Sequence, residues 1–578
     1  MRRVKTLVRW SWLLVILFAV VSARSATAIY LDEDQTINLR ARVYSQGAVR
    51  INDSQGDTVP RTFSGQLVQN RNFFNPELEA KFTSYTTWMK NAGLGWLAPD
   101  DFSGRLAAWG FYDGIYDYGS GQFNEARKVI NSTFPQYTGK PTHAWFLEGP
   151  TFNPKGKTLD TILPGSQAQD PHDIYATQRR VNELYLNYSK GPVFVRLGRQ
   201  AISWGESDTV ALLDANNPFD LTLGAPGVFE DLDESRIPLW TVRTSLNLFD
   251  TLGPFSSAFV ESYWVPGDID NNTGILPLLG ASPYSPPGQD PQTNPTIAAF
   301  NKLPGVAPFQ FILLDQVPKH DFDQSRWGVR TQTVVNRQFT VSAWYYTTFQ
   351  GVPAPIKTVP VAIPSEKRNL FIVATQHKLT SVTGISNTFF FEPLDGIIRM
   401  EAEYFDNEPS FIPNVNLALK NPLNSGGRLP YSDHLRWELG FDRFFFLRAL
   451  NPTNSFTLVS AIVGDWNISE TSKKDFYSAQ QKPGASGQRP QDFVQEEKVE
   501  AFGQVHLQSD YMHGRLSPAV TFIQNVRGTY TVTGDILYRW TDWLLFDVSA
   551  VTIGGAFQQL GYFRDRDQLA LRVTYQLN

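Results

Sequence analysis

The chain is 578 residues long, has no cysteine and carries a formal charge of −5, which excludes a disulfide scaffold or thiolate metal site and argues against a nucleic-acid surface. Its 41 Phe, 22 Tyr and 15 Trp suit the aromatic girdles of a membrane β-barrel, although a large soluble β protein uses the same residues. Beyond the N-terminus no segment offers the roughly 20 uninterrupted apolar residues of a membrane helix, so a membrane protein built from this chain must span with strands.

Arg2, Arg3 and Lys5 make a positive start, Trp10 to Val21 an apolar run broken only by Ser11, and Ala26-Thr27-Ala28 a small-residue cleavage site. This order predicts a signal peptide over 1–28 and a barrel over 29–578; the apolar run is short for an uncleaved anchor. From there a period of two recurs, the mark of strands with two unlike faces. Ile37, Leu39, Ala41 and Val43 alternate with Asn38, Arg40, Arg42 and Tyr44, and Leu78, Ala80 and Phe82 with Glu77, Glu79 and Lys81. Leu184, Leu186 and Tyr188 oppose Glu183, Tyr185 and Asn187; Val193, Val195 and Leu197 oppose Phe194, Arg196 and Gly198. In 242–248, Val242, Thr244, Leu246 and Leu248 are read as outward and Arg243, Ser245 and Asn247 as inward.

Further strands are expected over 255–264, 326–334, 339–349 and 397–405, and more densely over 433–449, 456–464, 498–508, 515–524, 529–540 and 543–553. Between them lie long irregular stretches at 113–178, 265–323 and 466–495. Loops of such length are functional or disordered more often than not. The second carries Phe309, Phe311, Ile312, Leu313 and Leu314, and is read as a long loop or an apolar hatch filling the lumen.

A secreted sandwich or propeller is the rival architecture, but no blade-length repeat is visible and the charges lie on one face only. Arg196, Arg243, Arg330, Arg399, Glu401, Glu403, Arg436, Glu438 and Asp442 all oppose apolar residues, as a wet lumen requires. The last strand, Leu569, Leu571, Val573, Tyr575 and Leu577 against Gln568, Ala570, Arg572, Thr574 and Gln576, is suited to close the sheet on its first strand. It resembles the C-terminal recognition strand of bacterial outer-membrane barrels, except that the terminal aromatic is missing and Tyr575 lies nearby. The expected fold is an all-β, transmembrane antiparallel β-barrel of roughly 16–18 strands in the cell outer membrane.

Leu197-Gly198-Arg199-Gln200-Ala201-Ile202-Ser203-Trp204-Gly205-Glu206-Ser207, then Asn217-Pro218-Phe219-Asp220 and Glu234-Ser235-Arg236-Ile237-Pro238, resemble the Gram-negative outer-membrane family catalogued as domain of unknown function 1302. The resemblance is most specific over 193–248. It implies an exported barrel that works beside a periplasmic or lipoprotein partner and an inner-membrane transporter of hydrophobic compounds.

Arg199, Gln200, Trp204 and Glu206 form the first candidate patch, either a lumenal gate or a network fixing a long loop to the wall. Arg196, Arg243, Arg399, Glu401, Glu403, Arg436, Glu438 and Asp442 form the second, either a field across a channel or ion pairs filling it. Ser432, Asp433 and His434 are neighbours on one strand and do not point at each other, so they make no hydrolase triad. The seven histidines lack metal-ligand spacing and no Gly-rich phosphate loop is present, so neither an enzyme nor a cofactor is expected. Three functions stay open: passage of a hydrophobic or amphipathic solute, general diffusion of small polar solutes, and a non-transport scaffold or receptor. Outer-membrane lipids or lipopolysaccharide are the expected surroundings; the sequence leaves the oligomeric state open.

Overall fold

The computed structural model describes residues 29–54, 62–120, 123, 129–132, 142–146, 166–169, 175–205, 213, 215–274, 282–284, 309–316, 318–351, 354–363, 368–409, 431–468, 499–555 and 559–577. The expected signal peptide at 1–28 lies outside them.

Alternating segments become the staves of a closed wall. They are β1 (Ile37–Arg50), β2 (Leu67–Lys81), β3 (Asp101–Asp113), β4 (Thr177–Lys190), β5 (Val193–Gln200) and β6 (Leu239–Leu252). Next come β7 (Phe255–Val265), β8 (Arg326–Val335), β9 (Phe339–Phe349), β10 (Leu379–Phe391), β11 (Gly396–Pro409) and β12 (Tyr431–Phe445). The wall ends with β13 (Phe456–Asn467), β14 (Val499–Ser509), β15 (Leu516–Asn525), β16 (Tyr530–Arg539), β17 (Leu544–Gly554) and β18 (Gln568–Leu577). Each strand pairs antiparallel with the next, and β18 returns to β1 from Arg50↔Gln568 to Ala41↔Leu577. The result is a closed barrel of 18 strands with no free sheet edge at the seam. A two-residue strand, Ile29–Tyr30, pairs with β1 at Leu39 and Asn38, just beyond the last β18 partner.

The two rims differ. Connections on the rim holding Ile37 and Leu577 are mostly tight, as at 191–192, 253–254, 336–338 and 540–543. Those on the other rim include 114–176, 201–238, 266–325 and 410–430. Short turns at one end and long loops at the other are the ordinary build of membrane barrels.

The faces invert the soluble pattern. Leu186, Leu197, Leu248, Ile385, Ile462 and Leu571 are exposed on the outside, whereas Arg399, Glu401, Glu403 and Glu438 are buried within. A closed sheet that shows leucine outward and hides carboxylates inward has lipid, not water, as its outer solvent. Aromatic pairs mark the edges of this belt. Trp264 stands cross-strand from Trp327 toward the long-loop rim, while Phe339–Phe389 (5.1 Å), Phe445–Phe456 (5.7 Å) and Trp543–Tyr575 (5.7 Å) ring the opposite one.

Beyond the wall, Ala354–Ile363, Arg368–Gln376, Phe309–Gln316 and Thr142–Phe146 make a four-stranded sheet in that order. The first two strands lie between β9 and β10, and Phe309–Gln316 runs parallel to the second from Phe309↔Asn369 to Gln316↔Gln376. The backbone of the expected apolar hatch is therefore a strand joined to the β9–β10 connection. The side chains of Phe309, Phe311, Ile312, Leu313 and Leu314 lie outside the described residues.

Candidate functional site

β5 is the shortest stave of the wall, and the chain beyond it turns into the barrel. Gly198 adopts φ +133°, a backbone state that L side chains rarely take. A Cβ there would overlap the Leu184 carbonyl oxygen of β4. Past it, Ile202 and Trp204 are almost wholly buried in a cluster with Leu239, Tyr263, Val265, Trp344, Tyr346, Val382 and Phe405. The Ile202 amide donates to Asn217 Oδ1 at 2.7 Å, and Asn217 Nδ2 donates to the Ile237 carbonyl at 2.9 Å. Those two bonds tie the start, middle and end of the 201–238 connection together.

Trp204 anchors the connection to the wall. Its indole N–H donates to Glu261 of β7, and its ring lies 4.9 Å from Tyr263 and 6.2 Å from Tyr346. Arg330 of β8 donates to the Trp204 carbonyl at 3.2 Å, and Arg243 of β6 holds the other oxygen of Glu261 at 2.6 Å. Each charge in this arrangement has an opposite charge or a dipole within bonding distance, which offsets the desolvation of a buried carboxylate.

From there the connection crosses the lumen. On the β9 side, Tyr346 OH accepts from the Ala215 amide at 3.1 Å and Thr348 donates to the Ala215 carbonyl at 2.7 Å. At the other end a single helical turn, α1 (Leu232–Ser235), meets β1, β2 and β18. Glu234 accepts from Arg42 at 2.9 Å and from the Tyr44 hydroxyl at 2.7 Å. Glu230 accepts from Arg71 at 2.9 Å, and Asp231 accepts from Arg572 at 3.1 Å. β1 and β9 stand on nearly opposite sides of the wall, so the connection is a strap pinned by ion pairs at one end and by hydrogen bonds and aromatic packing at the other. A second inward contact supports it: Tyr284 packs on Phe229 (5.4 Å), and Arg50 of β1 donates to the Pro283 carbonyl.

The remaining sequence-predicted residues fall on the wall. Arg399 reaches Asp442 at 2.9 Å and Glu438 at 3.6 Å. Glu403 accepts from the Trp344 indole at 2.8 Å and the Tyr346 hydroxyl at 3.3 Å, and Glu401 is buried beside them. Arg436 lies over the Phe405 ring at 4.0 Å and bridges Glu408 and Asp465. The ion pairs of Arg399 and Arg436 all join neighbouring strands, whereas the Arg42, Arg71 and Arg572 pairs join the wall to the strap.

The Leu197–Ser207 stretch is divided by the structure. Arg196 faces inward, with its Nε donating to Asn187 at 2.7 Å and its guanidinium over the Tyr185 ring at 4.1 Å. Gln200 is buried and donates to the Thr241 carbonyl at 3.2 Å. Arg199 pairs in register with Trp240, whose ring is exposed on the outside. Trp204 takes Glu261 as its acid partner, and Glu206 lies outside the described residues. Sequence reasoning missed Arg42, Arg71, Glu230, Asp231 and Glu261 as site residues. The signal was the acidic run Glu230-Asp231-Leu232-Asp233-Glu234 inside a connection, facing arginines that alternate inward on β1, β2 and β18. Among the described residues no group of three or more His, Asp or Glu is placed to hold a metal ion.

A family model described as "Protein of unknown function (DUF1302)" matches residues 9–577. No curated protein matches the chain in sequence. Among solved structures it is similar to a BenF-like porin from Pseudomonas fluorescens Pf-5, at 9% identity over 95% of this chain and 100% of that one, TM-score 0.41. It is similar also to OccAB3 of Acinetobacter baumannii (8% identity, 93% and 98% covered, TM-score 0.41) and to OccK5 (OpdH) of Pseudomonas aeruginosa (8%, 94% and 97%, TM-score 0.39). The barrel itself rests on the closed ladder described above.

Proposed function

The chain belongs to the DUF1302 family, and from that premise and its barrel we propose that it is a strap-gated outer-membrane channel for a hydrophobic or amphipathic solute. The observation that carries this reading is the 201–238 strap, pinned to opposite walls across the lumen. A strap held by buried ion pairs restricts steady diffusion of water and ions, and its release would uncover the buried aromatic cluster around Trp204 as an apolar surface for a passing solute. The apolar outer belt with aromatic edges supports residence in a bilayer, and closure into a barrel supports the outer membrane. A periplasmic or lipoprotein partner and an inner-membrane transporter would deliver or collect the solute.

A general diffusion porin is the second reading. Arg42, Arg71, Glu230 and Glu234, of both signs at one constriction, favour it, because such a pair of charged rows orders water and small ions in a pore. Purified protein in planar bilayers separates the two. Little steady conductance together with saturable uptake of an alkyl solute into proteoliposomes is the expected result. Large stable conductance without alkyl-solute uptake would replace the first reading with the second.

A further inference from the structure

Among the described residues, the ladder between β4 and β5 stops well short of the end of β4. On its β3 side β4 is paired from Tyr112↔Thr177 down to Asp101↔Ser189. On its β5 side pairing begins only at Leu184↔Arg199, so residues 177–183 have no wall partner there among the described residues. The cause is local: Gly198 presses against Leu184, β5 ends at Gln200, and the chain turns inward to Trp204. Sheet edges facing hydrocarbon leave amide and carbonyl groups unsatisfied, so an edge of this kind is tolerated where it lines a polar cavity.

Such a cavity is present. It has a volume of about 480 Å³ and is bounded by β4 residues 177–180 on one bank and by Arg199, Ile237 and Asn272 on the other. That size is in the ordinary range for a small-ligand site. Its charged lining is wholly basic: Arg179, Arg180 and Arg199. Arg180 stacks on the Trp109 ring at 3.8 Å and gives one bond to the Glu234 carbonyl at 3.3 Å, while its Nε is buried without a partner. The Nε of Arg199 is likewise buried and unpartnered. The carboxylates that face these arginines are already engaged: Asp270 by the Trp240 amide at 2.9 Å and by Arg326 at 3.6 Å, Asp220 by the Thr222 hydroxyl at 2.6 Å, and Glu230 by Arg71 at 2.9 Å.

The height of this cluster matters. Arg199 is in register with Trp240, and Arg179 and Val181 are exposed on the outer side of β4. Arg179 and Arg199 therefore sit on the outer face at the aromatic level where lipid headgroups meet hydrocarbon, and Arg180 sits on the inner side against Trp109 and the strap.

We propose that this gap is a lateral portal, through which an amphiphile with an anionic head and an alkyl tail passes between the bilayer and the lumen, its head held by Arg179, Arg180 and Arg199. Guanidinium groups bind carboxylate or phosphate with charge-assisted hydrogen bonds, and the apolar tail stays in the hydrocarbon until the head is seated. The proposal rests on the amphipathic-solute reading above and adds its route and its charge.

The test uses the full chain in nanodiscs and proteoliposomes, with dodecanoate, uncharged dodecanol and lipopolysaccharide as probes. The double variant R179Q/R199Q is expected to weaken dodecanoate binding by about tenfold or more and dodecanol binding by less than about twofold. In a second variant, Gln178→Cys with Asn272→Cys, a bifunctional maleimide spans the two banks without touching the strap, and no native cysteine interferes. Bridging is expected to stop dodecanoate transfer and leave ionic conductance as it is without the bridge. Undiminished transfer in both variants, with transfer intact in the wild type, would overturn the portal and leave the amphiphile reading standing. No dodecanoate transfer in the wild type would remove that reading and the portal together. Arginine-dependent lipopolysaccharide binding without dodecanoate binding would make the gap a seat for a surrounding lipid, and the portal would fall.

Discussion

Replacing Glu234 by alanine should release the strap at its β1 end. The carboxylate is 2% exposed and makes two short contacts, to Arg42 at 2.9 Å and to the Tyr44 hydroxyl at 2.7 Å, with Arg71 at 3.9 Å. The Arg42 side chain is 38% exposed, so solvent screening limits its share to about 1 kcal/mol or less. The Tyr44 bond is buried and accepted by a charged group, which is worth about 1.5–3 kcal/mol. Arg71 keeps Glu230 at 2.9 Å and is not stranded, so the much larger penalty of an orphaned buried charge does not apply. The docked strap thus loses about 2–4 kcal/mol, a shift of roughly 30-fold to 1,000-fold toward the released form. Single-channel recording should then show openings that are rare or absent in the wild type, and limited proteolysis should cut within 201–238. Asp233→Ala is the control, because that side chain is 94% exposed on the same turn. If Glu234→Ala and Asp233→Ala give the same trace and the same protease pattern as wild type, the strap is not a gate.

Other parts of the molecule give three further outcomes. Trp204→Ala empties the aromatic cluster and strips Glu261 of a donor, so the barrel should lose about 3–5 kcal/mol, read as a lower denaturant midpoint in detergent; an unchanged midpoint would mean the cluster does not hold the strap. Gly198→Ala forces a Cβ onto the β4 backbone and should lower the temperature at which the barrel loses its compact gel mobility, by an amount matching about 1–3 kcal/mol. A variant as heat-resistant as wild type would show that β5 does not turn there. In the tight-turn rim, Asp100 is held below the usual carboxylate range because the Gly191 amide and Lys190 donate to it. A depressed folded value contributes stability above the unfolded value and loses it as pH falls through the folded one. The protection of the Gly191 amide, its exchange rate relative to the intrinsic rate at each pH, should therefore fall on acidification through that range, and in Asp100→Asn that acid-dependent step should disappear; persistence of the step would assign it to another group.

Much of the wall could be read from the chain. The 242–248 alternation predicts which side chains leave the lumen, and the structure exposes Leu246 and Leu248 while tying Arg243 to Glu261. Family resemblance in Leu197–Ser207 and Glu234–Pro238 marked the strap without revealing that it crosses the barrel. Nothing local in Glu234 says that its partners are Arg42 and Tyr44, the latter 190 positions away. Nor does the pattern of β5 separate Arg199 from Gln200, since a single glycine decides where the ladder stops.

By itself the sequence determined the two-faced strands, because a period of two depends only on backbone pleat and on what each side chain prefers as solvent. It also determined that a spanning form of this chain must be a closed sheet, because no apolar helix is long enough and open edges are intolerable in lipid. Tertiary structure alone decided that the wall closes at 18 strands, that the 201–238 connection runs inward, and that among the described residues β4 meets β5 only from Leu184 onward. Closure, crossing and gap are set by which distant strands meet in which register, and that is a property of the whole ring, not of any stretch within it.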